Sequence, residues 1–263
     1  MKKTILLIIL VLLLLFGISG LYMEFREYTD GEEEYSELEQ YINIENENEL
    51  IEQINDTLKN EMVLAPDEVS VDFSGLKRLN EDCVAWILIP NTNINYPVVE
   101  GIDNSYYVTH TFKKKSNKSG SIFLDMRNSS DFSDKNTIIY GHNLKNNKMF
   151  SDLRKYLSQS YFDSHKKIII YTEGKQFIYE AFSVYKTMED SEAYKVKFKD
   201  EETFLNHVDG SIEKSQIVFE GDKSNINNII TLSTCTNNKE GERVIVVEKL
   251  AETIDLVTQK TEE

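Results

Sequence analysis

The chain has 263 residues, of which 40% are hydrophobic, so it can bury a sizeable core and hold one main domain plus an appendage. Its formal net charge of −16 is concentrated between Glu24 and Glu68, where 16 acidic residues stand against two basic ones. From Val69 onward the net charge is only −4. Because binding to a phosphate backbone needs clustered Lys and Arg, this composition disfavours a nucleic-acid partner.

Two cysteines are too few for a disulfide-rich scaffold. Cys83 stands beside Trp86 in NEDCVAWILIP and is interpreted as a small buried apolar residue. A bridge between Cys83 and Cys235 stays open as an alternative at the level of the sequence.

Residues 1–23 have the pattern of a membrane anchor. After Lys2 and Lys3, the stretch Thr4–Tyr22 carries no charge and is about long enough to cross the hydrocarbon core as a helix. Lysines before it and many glutamates after it predict a single-pass protein with a cytoplasmic N-terminus. The small residues Gly17–Gly20 leave a cleaved signal peptide as the alternative. In both cases the body lies outside the membrane.

Residues 24–68 are interpreted as an acidic helical spacer whose charge is that of a solvated linker. Its second half has apolar residues at helical spacing, which predicts an amphipathic helix that can pack on the body. These residues are Leu50, Ile51, Ile54, Leu58 and Met62. The one basic run, Lys113–Lys115, is interpreted as a solvated loop.

Residues 69–250 are predicted to form the folded body, mainly of β structure, and residues 251–263 an acidic C-terminal tail. Eight segments rich in β-branched and aromatic residues are predicted as strands, a number typical of a closed barrel or a sandwich. The strands are Ala85–Ile89, Ile94–Val99, Ser121–Asp125, Thr137–Gly141, Ile168–Thr172, Gln176–Tyr185, Ile229–Thr234 and Val244–Leu250. Apolar spacing predicts helices at Asp72–Asn80, Met149–Leu157 and Glu201–Lys214.

A thiol and a guanidinium flank the loop between the last two predicted strands. Cys235 ends one strand and Arg243 opens the next, so pairing of these strands would bring both groups to one edge of a sheet. His142 also follows a strand, after Gly141, which permits a tight turn. The other histidines are interpreted as surface or packing residues: His110, His165 and His207. No Cys or His spacing typical of a metal site occurs, and no cofactor is implied.

Cys235, His142 and Arg243 supply the parts of an acyl-transfer site. A thiolate attacks a carbonyl group, and an imidazole can take the thiol proton and return one to a leaving amine. A guanidinium can stabilise the oxyanion without losing its own proton. Because Cys, His and Arg combinations are common, spacing alone leaves three chemically idle residues as the alternative.

Two motifs resemble the active-site signature of sortases. TLSTC (Thr231–Cys235), followed eight residues later by Arg243 in ERVIVV, is similar to the cysteine and arginine strands. NTIIYGHN (Asn136–Asn143) is similar to the histidine strand.

Other segments resemble class B sortases in particular. These are the opening strands at Val84–His110, the motif SGSIFLDMRN at Ser119–Asn128, the long segment after the histidine at Tyr140–Lys166, FSVYKT at Phe182–Thr187 and the insertion with a helix before the cysteine strand at Met188–Ser215. The resemblance covers roughly Val69–Leu250.

The resemblance implies an eight-stranded sortase-type β-barrel with N-terminal helices, and a cysteine transpeptidase. Such an enzyme cleaves an LPxTG-like or NPxTG-like C-terminal sorting signal after its Thr and forms a thioester with its Cys. Cys235 is then the nucleophile, His142 the acid and base, and Arg243 the stabiliser of the oxyanion or substrate carbonyl. Five positions resemble substrate-pocket residues: Ser233, Thr234, Asn104, Val108 and Tyr194.

The implied partners are surface proteins with a sorting signal and an amino group of peptidoglycan or its lipid-linked precursor, which resolves the thioester. The implied location is the cell membrane of a Gram-positive bacterium, with the catalytic domain outside. A secreted cysteine peptidase and a membrane-anchored binding protein with an idle Cys235 stay open as other functions. The loop Thr236–Glu242 departs from the family pattern, because it lacks the acidic residue that some class B members have directly after the cysteine.

Overall fold

The structure is a computed structural model that describes residues 2–44, 69–221, 226–236 and 239–256. The amphipathic helix predicted between Leu50 and Met62 lies outside these residues.

The described chain begins with one unbroken helix, α1 (Lys2–Leu38). By length and composition, α1 is the one helix among the described residues that could cross a membrane, and its apolar first part is not buried in the protein. The ribbon of β1 (Ile42–Ile44) with β2 (Val69–Val71) follows, and then the short helix α2 (Phe73–Leu79). The predicted anchor and the first part of the spacer are therefore one helix, with no break near residue 23.

Eight further strands close into a barrel, which confirms the fold class expected from the sequence and excludes the sandwich. They are β3 (Cys83–Leu88), β4 (Asn95–Glu100), β5 (Ile122–Leu124), β6 (Asn136–Tyr140), β7 (Lys167–Tyr171), β8 (Lys175–Met188), β9 (Ile229–Cys235) and β10 (Glu242–Asp255). Around the barrel they follow the order β10-β8-β7-β3-β4-β5-β6-β9. The predicted helix before the cysteine strand is α4 (Glu201–Lys214), and the shorter α3 (Gln159–Ser164) precedes β7.

Two pairs in the barrel are parallel, β4 with β5 and β6 with β9, and the other pairs are antiparallel. The parallel pairing of β6 with β9 brings the carboxyl ends of both strands to the same rim of the barrel. Apolar side chains fill the interior, among them the fully buried Trp86 and Phe182. Each large side chain buried in this way contributes about 1.5–3 kcal/mol to stability.

The predicted helix Met149–Leu157 is wrong at its start and in its type. A 3₁₀ helix begins only at Ser151, and it runs to Leu157. Asn147 and Met149 have φ angles of 59° and 57°, which a right-handed helix does not allow. A non-repetitive loop therefore separates β6 from the helical segment, and this loop packs beside His142.

The last strand, predicted at Val244–Leu250, is longer than expected. β10 continues to Asp255, and residues 252–255 pair with residues 175–178 of β8 after an irregularity next to Leu250. The acidic character of the segment did not end the strand, because β8 is equally long and supplies backbone partners. Only the part of the predicted tail after Leu256 lies outside the described residues.

The acidic spacer is not a solvated linker where the structure describes it. Tyr35 and Leu38 of α1 are buried against the barrel, and Glu34 is buried with them. The run Lys113–Lys115 is not freely solvated either. Its three ammonium groups pair with Glu37, Asp82 and Glu34, in that order.

Cys83 is buried at the start of β3, as predicted, and burial raises the pKa of its thiol to about 12. Both cysteines are free, so the alternative of a Cys83–Cys235 bridge is excluded in this structure.

Glu248 is a buried acid in the middle of β10 that the sequence pattern did not reveal. It is fully buried, and neither carboxyl oxygen accepts a hydrogen bond from another described residue. Burial raises its pKa well above the ordinary value. The phenols of Tyr156 and Tyr179 lie close enough that a charge on Glu248 would raise their pKa as well. The folded state therefore favours the protonated carboxyl more than the unfolded state does.

The Glu248→Gln variant should have a larger free energy of unfolding than the parent, and the difference should be larger at pH 8 than at pH 5. Above the unfolded pKa, the unfolded chain loses a proton that the folded chain keeps, so parent stability falls by up to about 1.4 kcal/mol per pH unit until the folded pKa is reached. Glutamine removes this slope. Chemical denaturation at both pH values measures the difference, with Glu202→Gln on exposed α4 as the control. An equal effect at both pH values would contradict the burial argument.

Candidate active site

The antiparallel pairing of β9 with β10 brings Cys235 and Arg243 together. Their Cα atoms are direct partners in the register, at the loop end of the hairpin. Thr236 N donates to Glu242 O over 3.1 Å and closes the base of the connecting loop. The thiol and the guanidinium thus lie at one end of the sheet, as expected if these two consecutive strands pair.

His142 reaches the same edge through the parallel pairing of β6 with β9. Tyr140 is the partner of Ser233 in that register, and Gly141 N donates to Ser233 O over 3.2 Å. Asn143 Nδ2 then donates to the backbone oxygen of Cys235 over 2.8 Å. The histidine segment is therefore held directly beside the cysteine.

Gly141 has a different function from the one predicted, because it does not adopt a positive φ angle. A Cβ at this position would lie 2.4 Å from Ile122 Cδ1 and 2.6 Å from Phe150 Cγ. Position 141 therefore needs glycine because a larger side chain would clash with its neighbours, although its backbone conformation is open to other residues. Gly120 is the residue that needs its freedom, since its φ is +58° and it lies against the ring of His142.

The imidazole of His142 is half-buried and oriented by a backbone carbonyl. Its Nε2 lies 2.6 Å from Val108 O. Because a carbonyl oxygen can only accept a hydrogen bond, Nε2 carries the hydrogen, and Nδ1 is left to accept a proton. No hydrogen bond between described residues joins the ring to the Cys235 thiol, and such bonds in substrate-free enzymes often form only when substrate binds.

One cleft of about 340 Å³ contains every site residue that the sequence singled out. Its lining includes Cys235, His142, Arg243, Asn104, Val108, Tyr194, Ser233 and Thr234. It also includes three residues that sequence reasoning missed, Phe123, Tyr140 and Glu189, and Gly141, which the sequence singled out only for its turn. Tyr140 could have been found from its place directly before Gly141 and His142. No sequence signal pointed to Glu189.

Two hydrogen-bond networks hold the aromatic side chains that line the cleft. Tyr194 Oη and Ser233 Oγ are 2.9 Å apart, and burial raises the pKa of Tyr194 to about 12, so its phenol stays neutral and can donate. Tyr140 Oη donates to the buried carboxylate of Asp125 over 2.8 Å. Arg127 pairs with the same carboxylate, at 2.7 Å. The Tyr140 ring stacks on the Tyr194 ring at 5.9 Å between centroids, so both polar networks support one aromatic wall.

Arg243 forms an ion pair with Glu189, which follows β8. The backbone N of Glu189 donates a hydrogen bond to Gly241 O, in the loop between β9 and β10, over 2.9 Å. The chain lacks the acidic residue directly after the cysteine, but it thus brings a carboxylate to the guanidinium from a neighbouring strand. Both partners of this ion pair line the cleft.

The other three histidines lie outside the lining of this cleft and pack on aromatic rings, as the sequence predicted. His110 stacks on Tyr106, and His165 stacks on Tyr161. His207 lies in α4 and packs against the ring of Phe198, and burial lowers its pKa to about 4.

Comparison with known proteins agrees with this geometry. A family model described as "Sortase domain" matches residues 87–251. Sortase B of Listeria monocytogenes is 37% identical over 185 residues, which cover 70% of this chain and 75% of the relative. Sortase B of Staphylococcus aureus is 31% identical over 218 residues, which cover 82% of this chain and 89% of the relative.

The fold is also similar to a solved structure of the S. aureus sortase B–substrate complex. The TM-score is 0.70 at 29% identity, over 86% of this chain and 99% of that chain. The family match spans every residue that lines the cleft, and the curated relatives and the solved structure agree on the class. The chain therefore belongs to the sortase family of cysteine transpeptidases and is a class B sortase.

Proposed function

We propose that this class B sortase cleaves an LPxTG-like or NPxTG-like C-terminal sorting signal after its Thr and transfers the protein to an amino group of peptidoglycan or its lipid-linked precursor. The observation that carries the proposal is the meeting of Cys235, His142 and Arg243 in one cleft of about 340 Å³. Ligand pockets of this size are common, and the three side chains have the chemistry of acyl transfer.

In the first step, the Cys235 thiolate attacks the carbonyl carbon of the Thr in the sorting signal. The thiol proton passes to Nδ1 of His142, since Nε2 is bonded to Val108 O. The same proton goes to the leaving amine when the peptide bond breaks, and a thioester on Cys235 remains. In the second step, the acceptor amine attacks the thioester, and its proton returns through His142 to the thiolate.

Arg243 stabilises the negative charge that develops on the carbonyl oxygen in both steps. Its place opposite Cys235 in the strand register supports this role. Because the guanidinium also pairs with Glu189, a substrate carbonyl has to share it or displace the carboxylate.

The sorting signal binds along the wall of the cleft formed by the five pocket residues named from the sequence. Ser233 and Tyr194 support this, because they share a hydrogen bond inside the cleft. Val108 lines the cleft, and its carbonyl oxygen accepts a hydrogen bond from His142 Nε2. Asn104 also lines the cleft, and its Oδ1 accepts a hydrogen bond from Met126 N over 2.8 Å.

The first part of α1 anchors the enzyme in the cell membrane in a single pass, with the N-terminus in the cytoplasm and the barrel outside. The uncharged, unburied stretch Thr4–Tyr22 and the lysines before it support this arrangement. An outer-surface location is also where wall precursors and secreted proteins meet.

The test is to incubate the full chain in detergent with a library of sorting-signal peptides and triglycine, and to measure acyl-enzyme and product masses. We expect a thioester adduct and an amide product that joins the Thr of the peptide to triglycine. Free cleaved peptide in excess over the amide at saturating triglycine would instead indicate a peptidase. If no peptide yields an adduct, the proposed substrate class is wrong.

A further inference from the structure

The second part of α1 docks on the barrel along one face. Residues at helical spacing on this face contact the barrel: Glu27, Gly31, Glu34, Tyr35 and Leu38. A Cβ at Gly31 would lie 2.6 Å from Ser119 Oγ, so the helix and the loop approach each other closely. Asn117 Nδ2 donates to Glu27 O over 2.8 Å. The helix is thus seated on the loop that leads into β5.

The docked helix contacts two chain segments, the one before β5 and the loop after His142. Glu34 accepts a hydrogen bond from Lys113 N over 2.8 Å and pairs with Lys115 at 3.3 Å, on the segment before β5. Glu32 pairs with Lys148 at 3.1 Å, on the loop after His142. Because Glu34 is almost fully buried, its contacts are screened little by solvent.

Tyr35 makes the innermost contact of this face. Its hydroxyl donates to Gly120 O over 2.6 Å and lies 3.1 Å from Ser121 Oγ. The hydroxyl oxygen of Tyr35 also accepts a hydrogen bond from Phe112 N over 3.2 Å. Burial raises the pKa of Tyr35 above its usual range, so the hydroxyl keeps its proton and donates to the carbonyl. One side chain of α1 therefore satisfies two backbone groups of this segment, Gly120 O and Phe112 N.

Gly120 connects this contact to the imidazole. A Cβ on Gly120 would lie 2.8 Å from Cδ2 of His142 and 2.7 Å from Val108 O. Val108 O is the atom to which Nε2 of His142 donates. The backbone on which the ring rests and the carbonyl that fixes its tautomer are therefore both next to the residue that Tyr35 holds.

We propose that Tyr35 of α1 is a positioning residue for His142. Through Gly120 it sets the backbone that supports the ring and keeps Val108 O in place to receive Nε2–H. Nδ1 then faces the cleft, where the proton transfer of the proposed function requires it, and the inference rests on that function for its catalytic consequence.

The test compares Tyr35→Phe with the parent and with Tyr171→Phe, all as the full chain in detergent. Tyr171 is a matched control, because it is also buried and its hydroxyl has no hydrogen-bond partner among the described residues. Two quantities are measured. The first is kcat and KM for acylation by a sorting-signal peptide, and the second is the ¹⁵N spectrum of the labelled imidazoles without substrate.

For Tyr35→Phe we expect kcat to fall about tenfold or more while KM stays within about twofold, because Tyr35 lies outside the cleft lining and its loss acts mainly on the proton carrier. The His142 signals should lose the pattern of an Nε2–H tautomer, while Tyr171→Phe should match the parent in both measurements. Parent-like His142 signals in Tyr35→Phe would overturn the proposal, as would a kcat within about twofold of the parent. The spectrum decides the positioning of His142 even if the parent fails to react with every peptide, so the two proposals fail separately.

Discussion

The Cys235→Ala variant should form no acyl-enzyme and no transfer product with any sorting-signal peptide, and its barrel should stay folded. A thioester needs a sulfur nucleophile, and no other described side chain in the cleft lining carries one. Cys235 is half-exposed at a strand end, so its loss leaves no large cavity. Intact-mass measurement after incubation with peptide and triglycine gives the result, and circular dichroism checks the fold.

Cys83→Ala is the matched control for this experiment. It removes the same thiol group from a buried position at the start of β3, where burial raises the pKa of the thiol to about 12. We expect Cys83→Ala to retain acylation with some loss of stability, and a methanethiosulfonate reagent to modify Cys235 and spare Cys83 in the folded parent. Acylation that persists in Cys235→Ala and disappears in Cys83→Ala would show that Cys83, and not Cys235, is the nucleophile.

The strands of the barrel could be predicted because each is a short run of β-branched and aromatic residues bounded by polar turns. All eight predictions overlap the observed strands, with differences of a few residues at the ends, apart from the five-residue extension of β10. Periodicity also gave α4 with its observed bounds. It failed at Met149, where the left-handed backbone of a loop carries apolar side chains that imitate a helical pattern.

The pairing of Cys235 with Arg243 follows from two consecutive strands, so it could be expected from the sequence. The sequence offered His142 as a candidate because it follows a strand. Its approach to Cys235 depends on the parallel pairing of β6 with β9, which brings together residues far apart in the chain, and spacing alone could not establish that pairing. Contacts of Glu189 and Tyr35 with the site arise from tertiary packing between elements distant in sequence. No local pattern encodes such contacts, and the same holds for the burial of Glu248.

The interpretation of the acidic spacer as a solvated linker is wrong for residues 24–44, the part that the structure describes, and for a related reason. Composition gives the net charge of a segment but not the location of its counter-charges. The lysines that pair with Glu34 and Glu37 stand in the loop before β5, and docking of α1 brings them within reach. A high charge density therefore did not prevent α1 from packing on the barrel once the opposite charges were supplied by another part of the chain.

The second large effect is expected at Arg243. Replacement by alanine should lower kcat/KM for acylation about 10²–10³-fold, because removal of one donor to an oxyanion typically has this effect. Arg243→Lys should fall between the parent and the alanine variant, since lysine keeps the charge and loses the planar fork. Acylation rates at several peptide concentrations measure both variants.

Glu189→Gln removes the carboxylate charge that pairs with the Arg243 guanidinium and leaves the guanidinium itself unchanged. If the positive charge of Arg243 acts on the oxyanion, the glutamine variant should change kcat/KM by less than about tenfold, because the guanidinium remains opposite Cys235 and loses only a competing carboxylate. If Glu189→Gln is as damaging as Arg243→Ala, the intact ion pair is what catalysis requires, and the guanidinium serves to hold the β8 and β10 ends together. Near-parent activity of Arg243→Ala would exclude both roles. The two substitutions together therefore decide whether this pair stabilises charge on the substrate or only the shape of the cleft.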